Sequence, residues 1–246
     1  MLKKQLLTLM GKTMWKQFDA DETTELKERE REWIRFLLKD EIVSKDTVPM
    51  IKKNAMEKLK QYKDGQVGDL NKTVSLLCFR PNEFEAIDKY DKALTEFETK
   101  FEFFDIPWQK GSEPIKQILN STWPSAGDVR IDIGMDHFYE VDNFIKIDGY
   151  NVAVESETSN NLDNGITTIN QFIHKQKADF GIIIVPWLNR GTGNANAKTV
   201  ITKLDKTTEA YKNEKNPIFA LVIFRKLDAY TLLSKMKEED FIPFYN

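Results

Sequence analysis

The 246-residue chain predicts an α/β fold, a mixed central β-sheet flanked by helices with a helical N-terminal part. Three observations carry that prediction. In 140–157, two apolar-rich runs flank Asp148-Gly149, and Asp-Gly is a strong two-residue hairpin turn. The runs 179–186 and 217–224 contain continuous apolar stretches, as strands buried on both faces do. Helical spacing lies between these runs and dominates the chain before residue 111. The expected organisation is a helical region over 1–110, packed on an α/β core over 111–246.

In chain order, the start at 1–11 reads as a helix, because its apolar run is short and no small-residue cleavage site follows. Residues 21–25 supply capping and first-turn acids. Trp33, Phe36, Leu37 and Leu38 then form the apolar stripe of an amphipathic helix. The run 47–63 places Val48, Ile51, Met56, Leu59 and Tyr62 near helical spacing, with Pro49 in the first turn. Gly65 and Gly68 mark a loop. The run 74–79 fits a short strand or a buried helical turn equally well. A long helix is expected over 81–101, burying Phe84, Ile87, Leu94 and Phe97. A shorter helix opens at Ser112-Glu113-Pro114. Strands follow at 129–133, 138–147 and 150–157. Helices at 166–177 and 197–212 alternate with the two buried strands, an order that puts helices on both sheet faces.

Composition narrows the function classes. A charged fraction of 30% and a hydrophobic fraction of 41% describe an ordinary soluble domain. No segment is long or apolar enough to cross a bilayer. Cys78 stands alone in an apolar run, so it is expected to be buried, and a reducing, cytoplasmic setting is the default. The net charge of −3 argues against a uniformly basic nucleic-acid surface. A site built from acids lowers the net charge by itself, while a local basic surface still meets phosphate.

The hairpin concentrates the chemistry. With Asp148-Gly149 as the turn, Ile147 faces Tyr150, Asp142 faces Glu155, and Glu140 faces Glu157. Alternation then puts Val141, Ile145, Ile147, Val152 and Val154 on one face. Glu140, Asp142, Glu155 and Glu157 fall on the other, with Phe144 and Lys146 nearer the turn. The expectation is a core on one side and four carboxylates on the other. Facing like charges repel and raise one another's pKa. A divalent cation relieves that conflict, and oxygen ligands without thiolates or paired histidines favour Mg²⁺, Mn²⁺ or Ca²⁺. An exposed acidic face screened by salt is the competing reading.

An Asp on one strand followed by Glu-x-Lys on the next resembles the PD-(D/E)xK nucleases. Here the second element is Glu155-Ser-Glu157, with Glu in the lysine position. That departure, and the following Thr158-Ser159-Asn160-Asn161, are similar to the BamHI/BglII-type restriction endonucleases. The likeness runs roughly over 128–224. It implies a nuclease-like fold and a type II restriction endonuclease that hydrolyses double-stranded DNA at a short specific site. It implies Mg²⁺ as cofactor, with Mn²⁺ as a substitute. Asp142 and Glu155 would bind the metal, and Glu157 would assist the attacking water or a second ion. Asp132 and Asp148 rival Asp142, and Glu113, Asp132 and Glu140 are candidates for an additional acid. A palindromic site would call for a homodimer.

Base readout suits amides and arginine. Asn160, Asn161, Asn189, Arg190, Asn194 and Asn196 are the candidates, with Lys198 and Lys203 for phosphate. Turn chemistry explains the asparagines equally well, and a solvated helix face explains Lys198 and Lys203. His137 and His174 lack partners at metal-ligand spacing, and Trp187 is expected to pack in the core. The alternative function is a non-catalytic DNA- or cation-binding protein with a structural acidic hairpin. A carboxylate-pair sugar hydrolase is a third reading, distinguished by working without metal.

Overall fold

The computed structural model describes residues 15–17, 23–64, 70, 73–80, 89–101, 113–157, 162–188, 199–200, 203–204 and 217–245. Of these, 15–17, 23–26, 29 and 73–80 are described by backbone alone. The strands are β1 (Trp15–Gln17), β2 (Thr73–Arg80), β3 (Arg130–Gly134), β4 (His137–Glu140), β5 (Asn143–Ile147), β6 (Tyr150–Ser156), β7 (Phe180–Pro186) and β8 (Ile218–Arg225). The helices are α1 (Thr23–Leu37), α2 (Val48–Lys63), α3 (Asp91–Phe101), α4 (Glu113–Thr122), α5 (Leu162–His174) and α6 (Lys226–Lys235), with a 3-10 turn at Glu238–Phe244.

Six strands form one mixed sheet in the order β1-β2-β8-β7-β6-β5. The β5–β6 and β2–β8 pairs are antiparallel; the β6–β7, β7–β8 and β1–β2 pairs are parallel. Continuous apolar sequence explains the centre of the sheet. Every residue of β7 and β8 is buried, because helices cover both faces. On one face, Phe97 of α3 and Ile115 and Leu119 of α4 pack against Ile145, Val152, Phe180 and Phe219. On the other, Ile166, Ile169 and Phe172 of α5 pack against Phe144, Ala153 and Ile183. That packing is close: a Cβ added at Gly181 would lie 2.0 Å from Ile169 Cγ2.

The region before residue 111 is not helical alone. The run 74–79 is strand, and β1 and β2 extend the sheet beside β8. The α1 and α2 helices reach the other end of the chain, where Ile34, Val48 and Ile51 cluster with Leu233 and Phe241. Trp33 of α1 joins the main core, with its ring 4.1 Å from that of Phe224. The helix expected over 81–101 is described from Asp91; Phe84, Ile87 and the side chain of Cys78 lie outside the described residues and side chains. Met56, expected on the apolar stripe of α2, is exposed, and Ala55 takes the buried position beside it.

The 140–157 segment pairs in the expected register, from Ile147 with Tyr150 to Asn143 with Val154. Asp148 (φ +47°) and Gly149 (φ +87°) are both left-handed, as the twist-matched two-residue turn requires. Two expectations fail. The single strand over 138–147 is broken at Val141-Asp142, so β4 leaves the main sheet and pairs with β3. The acidic face is also not an open face, since Phe144 and Ala153 on it are buried under α5. Val141 packs with them rather than with Ile145, because the break interrupts the alternation.

Candidate active site

The end of the hairpin away from its turn carries the acids. Asp142 sits just before β5, and one of its carboxylate oxygens accepts the Ser156 main-chain N–H at 2.8 Å. Glu155 is the penultimate residue of β6 and pairs with Ile183 of β7. Glu157 follows the strand, and its N–H donates to the Ile184 carbonyl at 2.9 Å. The ladder therefore holds the backbone of both glutamates, and alternation aims both side chains to the same side. On that side α5 supplies Gly165. A Cβ there would meet Glu157 Oε1 at 2.9 Å and its Cγ at 3.2 Å, so the missing side chain leaves room for the carboxylate.

Both glutamates are buried, at 7% and 9% exposure. Burial pushes the Glu155 carboxyl up to about 9, and the charges of Asp142 and Glu157 add to the rise. A hydrogen bond from the Asp142 backbone and the charge of Lys116 oppose it. Burial, then Asp142, raises Glu157 to about 7. Asp142 thus acts on both glutamates, as like charges close together in a poorly solvated place must.

Lys116 of α4 completes the cluster. Its Nζ lies 2.8 Å from Asp142 Oδ1, with both side chains partly shielded from solvent. Burial works to lower its pKa, but the bond to Asp142 and the charges of Asp142, Glu113 and Glu155 outweigh this and hold it raised. The backbone of Lys116 is held as well. The fully buried Asn143 donates through Nδ2 to the Lys116 carbonyl at 3.0 Å and to Asn120 Oδ1 at 2.9 Å.

Asp142, Glu155 and Glu157 are therefore brought together, and the other acidic candidates are not. Glu140, expected opposite Glu157, lies on β4 and bonds to Arg130 at 2.8 Å. Asp132 is exposed on β3, where it accepts the Gly134 N–H at 2.7 Å. Asp148 is in the turn, paired with Lys92. Glu113 is exposed at the start of α4, one turn before Lys116, and its charge reaches that lysine. Asn160, Asn161, Asn189, Arg190, Asn194, Asn196 and Lys198 lie outside the described residues. Lys203 is ion-paired with Asp163. Trp187 is buried and donates from its indole to Glu30 at 2.6 Å. His137 and His174 are both exposed.

Sequence reasoning missed Lys116 and Gly165. The hint for Lys116 was slight: it is the one basic residue in α4. What matters is that α4 crosses β5 beside Asp142, and periodicity carries no such information. Gly165 reads locally as a turn residue, yet it lies inside α5.

The donor set suits a hard divalent cation, since all three side chains offer carboxylate oxygen. Among the described residues, however, no group of three His, Cys, Asp or Glu side chains is placed so that it could hold a metal ion. Asp142 instead gives one oxygen to Lys116 and one to the Ser156 N–H. No protein-family model matches the chain, and no curated protein sequence matches it. Among the described residues, no helix is long and apolar enough to cross a membrane.

Proposed function

We propose that this protein is a Mg²⁺-dependent endonuclease that hydrolyses phosphodiester bonds in double-stranded DNA at a short specific site, as type II restriction enzymes do. One observation carries the reading: Asp142, Glu155 and Glu157 share one side at the end of an antiparallel hairpin, close enough for Asp142 to raise the pKa of both glutamates. The three acids follow the order of the PD-(D/E)xK pattern, with Glu157 standing in the lysine position. The mixed sheet with a helix between β6 and β7 is consistent with that nuclease fold.

In this reading Asp142 and Glu155 would hold the cation, and Glu157, in the lysine position, would serve the water. When bound, the cation polarises the phosphate and makes water a better nucleophile. Gly165 keeps the space that Glu157 needs. Palindromic DNA would be met by a homodimer. Mn²⁺ would substitute for Mg²⁺.

The test is digestion of plasmid or phage DNA with Mg²⁺, comparing the parent with Asp142→Ala and Glu155→Ala. The reading expects discrete fragments from the parent and none from either variant. Equal cutting by all three would remove the site.

A second reading draws on the Lys116–Asp142 ion pair, which already offsets one carboxylate without any cation. The protein would then bind DNA or a cation without cleaving. That reading expects no fragments from the parent, and DNA binding that survives loss of the acids.

A further inference from the structure

The Glu155-Ser-Glu157 segment lacks a lysine, and a cation reaches the acid cluster from elsewhere in the chain. We infer that Lys116 is a resident counter-cation of this site, which holds Asp142 in the ion-free protein and yields it to a divalent cation on binding. The inference rests on the proposed role of the acids as ion ligands. It adds a residue that neither the hairpin nor the resemblance supplies.

Two independent contacts support it. The ammonium lies 2.8 Å from Asp142 Oδ1, within charge-assisted hydrogen-bond distance. The helix that delivers it is tied down beside the acid, because Asn143, the next residue after Asp142, donates to the Lys116 carbonyl at 3.0 Å. The acid and the residue that ties down its counter-cation are thus neighbours at the start of β5. The second Asp142 oxygen is fixed by the Ser156 N–H. The oxygen on Lys116, held by a side chain rather than by the backbone ladder, is therefore the one whose contact can give way when Asp142 joins an ion with Glu155. The lysine side chain is 31% exposed, so it has a route to solvent. Two cations competing for one carboxylate oppose each other's binding.

The experiment is titration calorimetry of the full chain with Mn²⁺ in DNA-free buffer, comparing the parent with Lys116→Met, Lys116→Arg and Asp142→Asn. Met keeps the length of the lysine stem without its charge, and Arg keeps the charge. Loss of a unit charge this close is expected to tighten Mn²⁺ binding of Lys116→Met by about tenfold or more. Lys116→Arg should stay near the parent, and Asp142→Asn should bind weakly. Without metal, Lys116→Met should melt lower than the parent, and saturating Mn²⁺ should raise its melting temperature more than the parent's.

If Lys116→Met binds Mn²⁺ no tighter than the parent while Asp142→Asn has lost binding, the inference is overturned and the nuclease reading stands. If neither the parent nor Lys116→Met binds Mn²⁺, both are overturned. If tightening is observed but no DNA is cut, the inference holds and the nuclease reading alone fails.

Discussion

The Ser156 N–H donates to the Asp142 carboxylate at 2.8 Å, joining the two strands of the hairpin beyond their last paired residues. An acid there serves as both a charge and a hydrogen-bond acceptor, and the two roles separate by substitution. Asp142→Asn keeps an oxygen for the Ser156 N–H, whereas Asp142→Ala leaves that donor without its acceptor. Asp142→Ala is expected to cost about 1–3 kcal/mol, and Asp142→Asn less, as read by chemical denaturation. Asp142→Asn should also lower the pKa of Glu155 in a carboxyl-carbon NMR titration. The value should stay elevated, because burial is the larger cause.

The raised Glu155 carboxyl makes the ion-free fold sensitive to pH. Its ordinary value is 4.5 and its folded value about 9, so the folded chain holds the proton more tightly than the unfolded chain. Its contribution to stability is full below the ordinary value and is lost as pH rises toward the folded value. Glu157 acts in the same direction up to about 7. In EDTA, the melting temperature of the parent relative to Glu155→Gln should fall between pH 5 and pH 9. A difference that stays constant across this range would contradict the burial and charge coupling. Mg²⁺ or Mn²⁺ should flatten the slope, since a bound cation favours the ionised acids.

Two glycines where α5 packs on the sheet should respond in opposite ways. At Gly165, an added Cβ meets the flexible end of Glu157, and alanine favours a helix interior over glycine by about 1 kcal/mol. Gly165→Ala should therefore hold or raise the melting temperature while displacing the carboxylate, and DNA cleavage and Mn²⁺ affinity should drop. At Gly181 the added atom strikes the branched Ile169 side chain at 2.0 Å, with helix behind it. Gly181→Ala should destabilise by about 1–3 kcal/mol through overpacking, with Mn²⁺ affinity spared in the folded fraction.

Arg225 and Asp228 form a fully buried bidentate pair, at 2.8 and 2.6 Å, where β8 turns into α6. Arg225 also donates to the Leu188 carbonyl, two residues past the end of β7. Removing one member leaves the other charge buried, so Asp228→Ala should cost about 3–5 kcal/mol. The pair is far from the hairpin in its bonding, and the effect should be read in equilibrium unfolding rather than in metal binding.

The sequence by itself determined the local features. Asp148-Gly149 set the turn, and the turn set the register that puts Asp142 level with Glu155, because strand alternation is a covalent property of the backbone. The apolar runs of β7 and β8 announced buried strands for the same reason. Tertiary structure decided everything that depends on which surfaces meet. It broke the chain at Val141-Asp142 and sent Glu140 to Arg130. It drew β1 from a region that reads as helical, made the ambiguous run 74–79 a strand, and buried Phe144 under α5. It also brought Lys116 across to Asp142, and placed Gly165 where Glu157 needs space. Those contacts join residues whose proximity comes from helix-on-sheet packing, and packing is fixed by the summed burial of the whole core rather than by any local pattern.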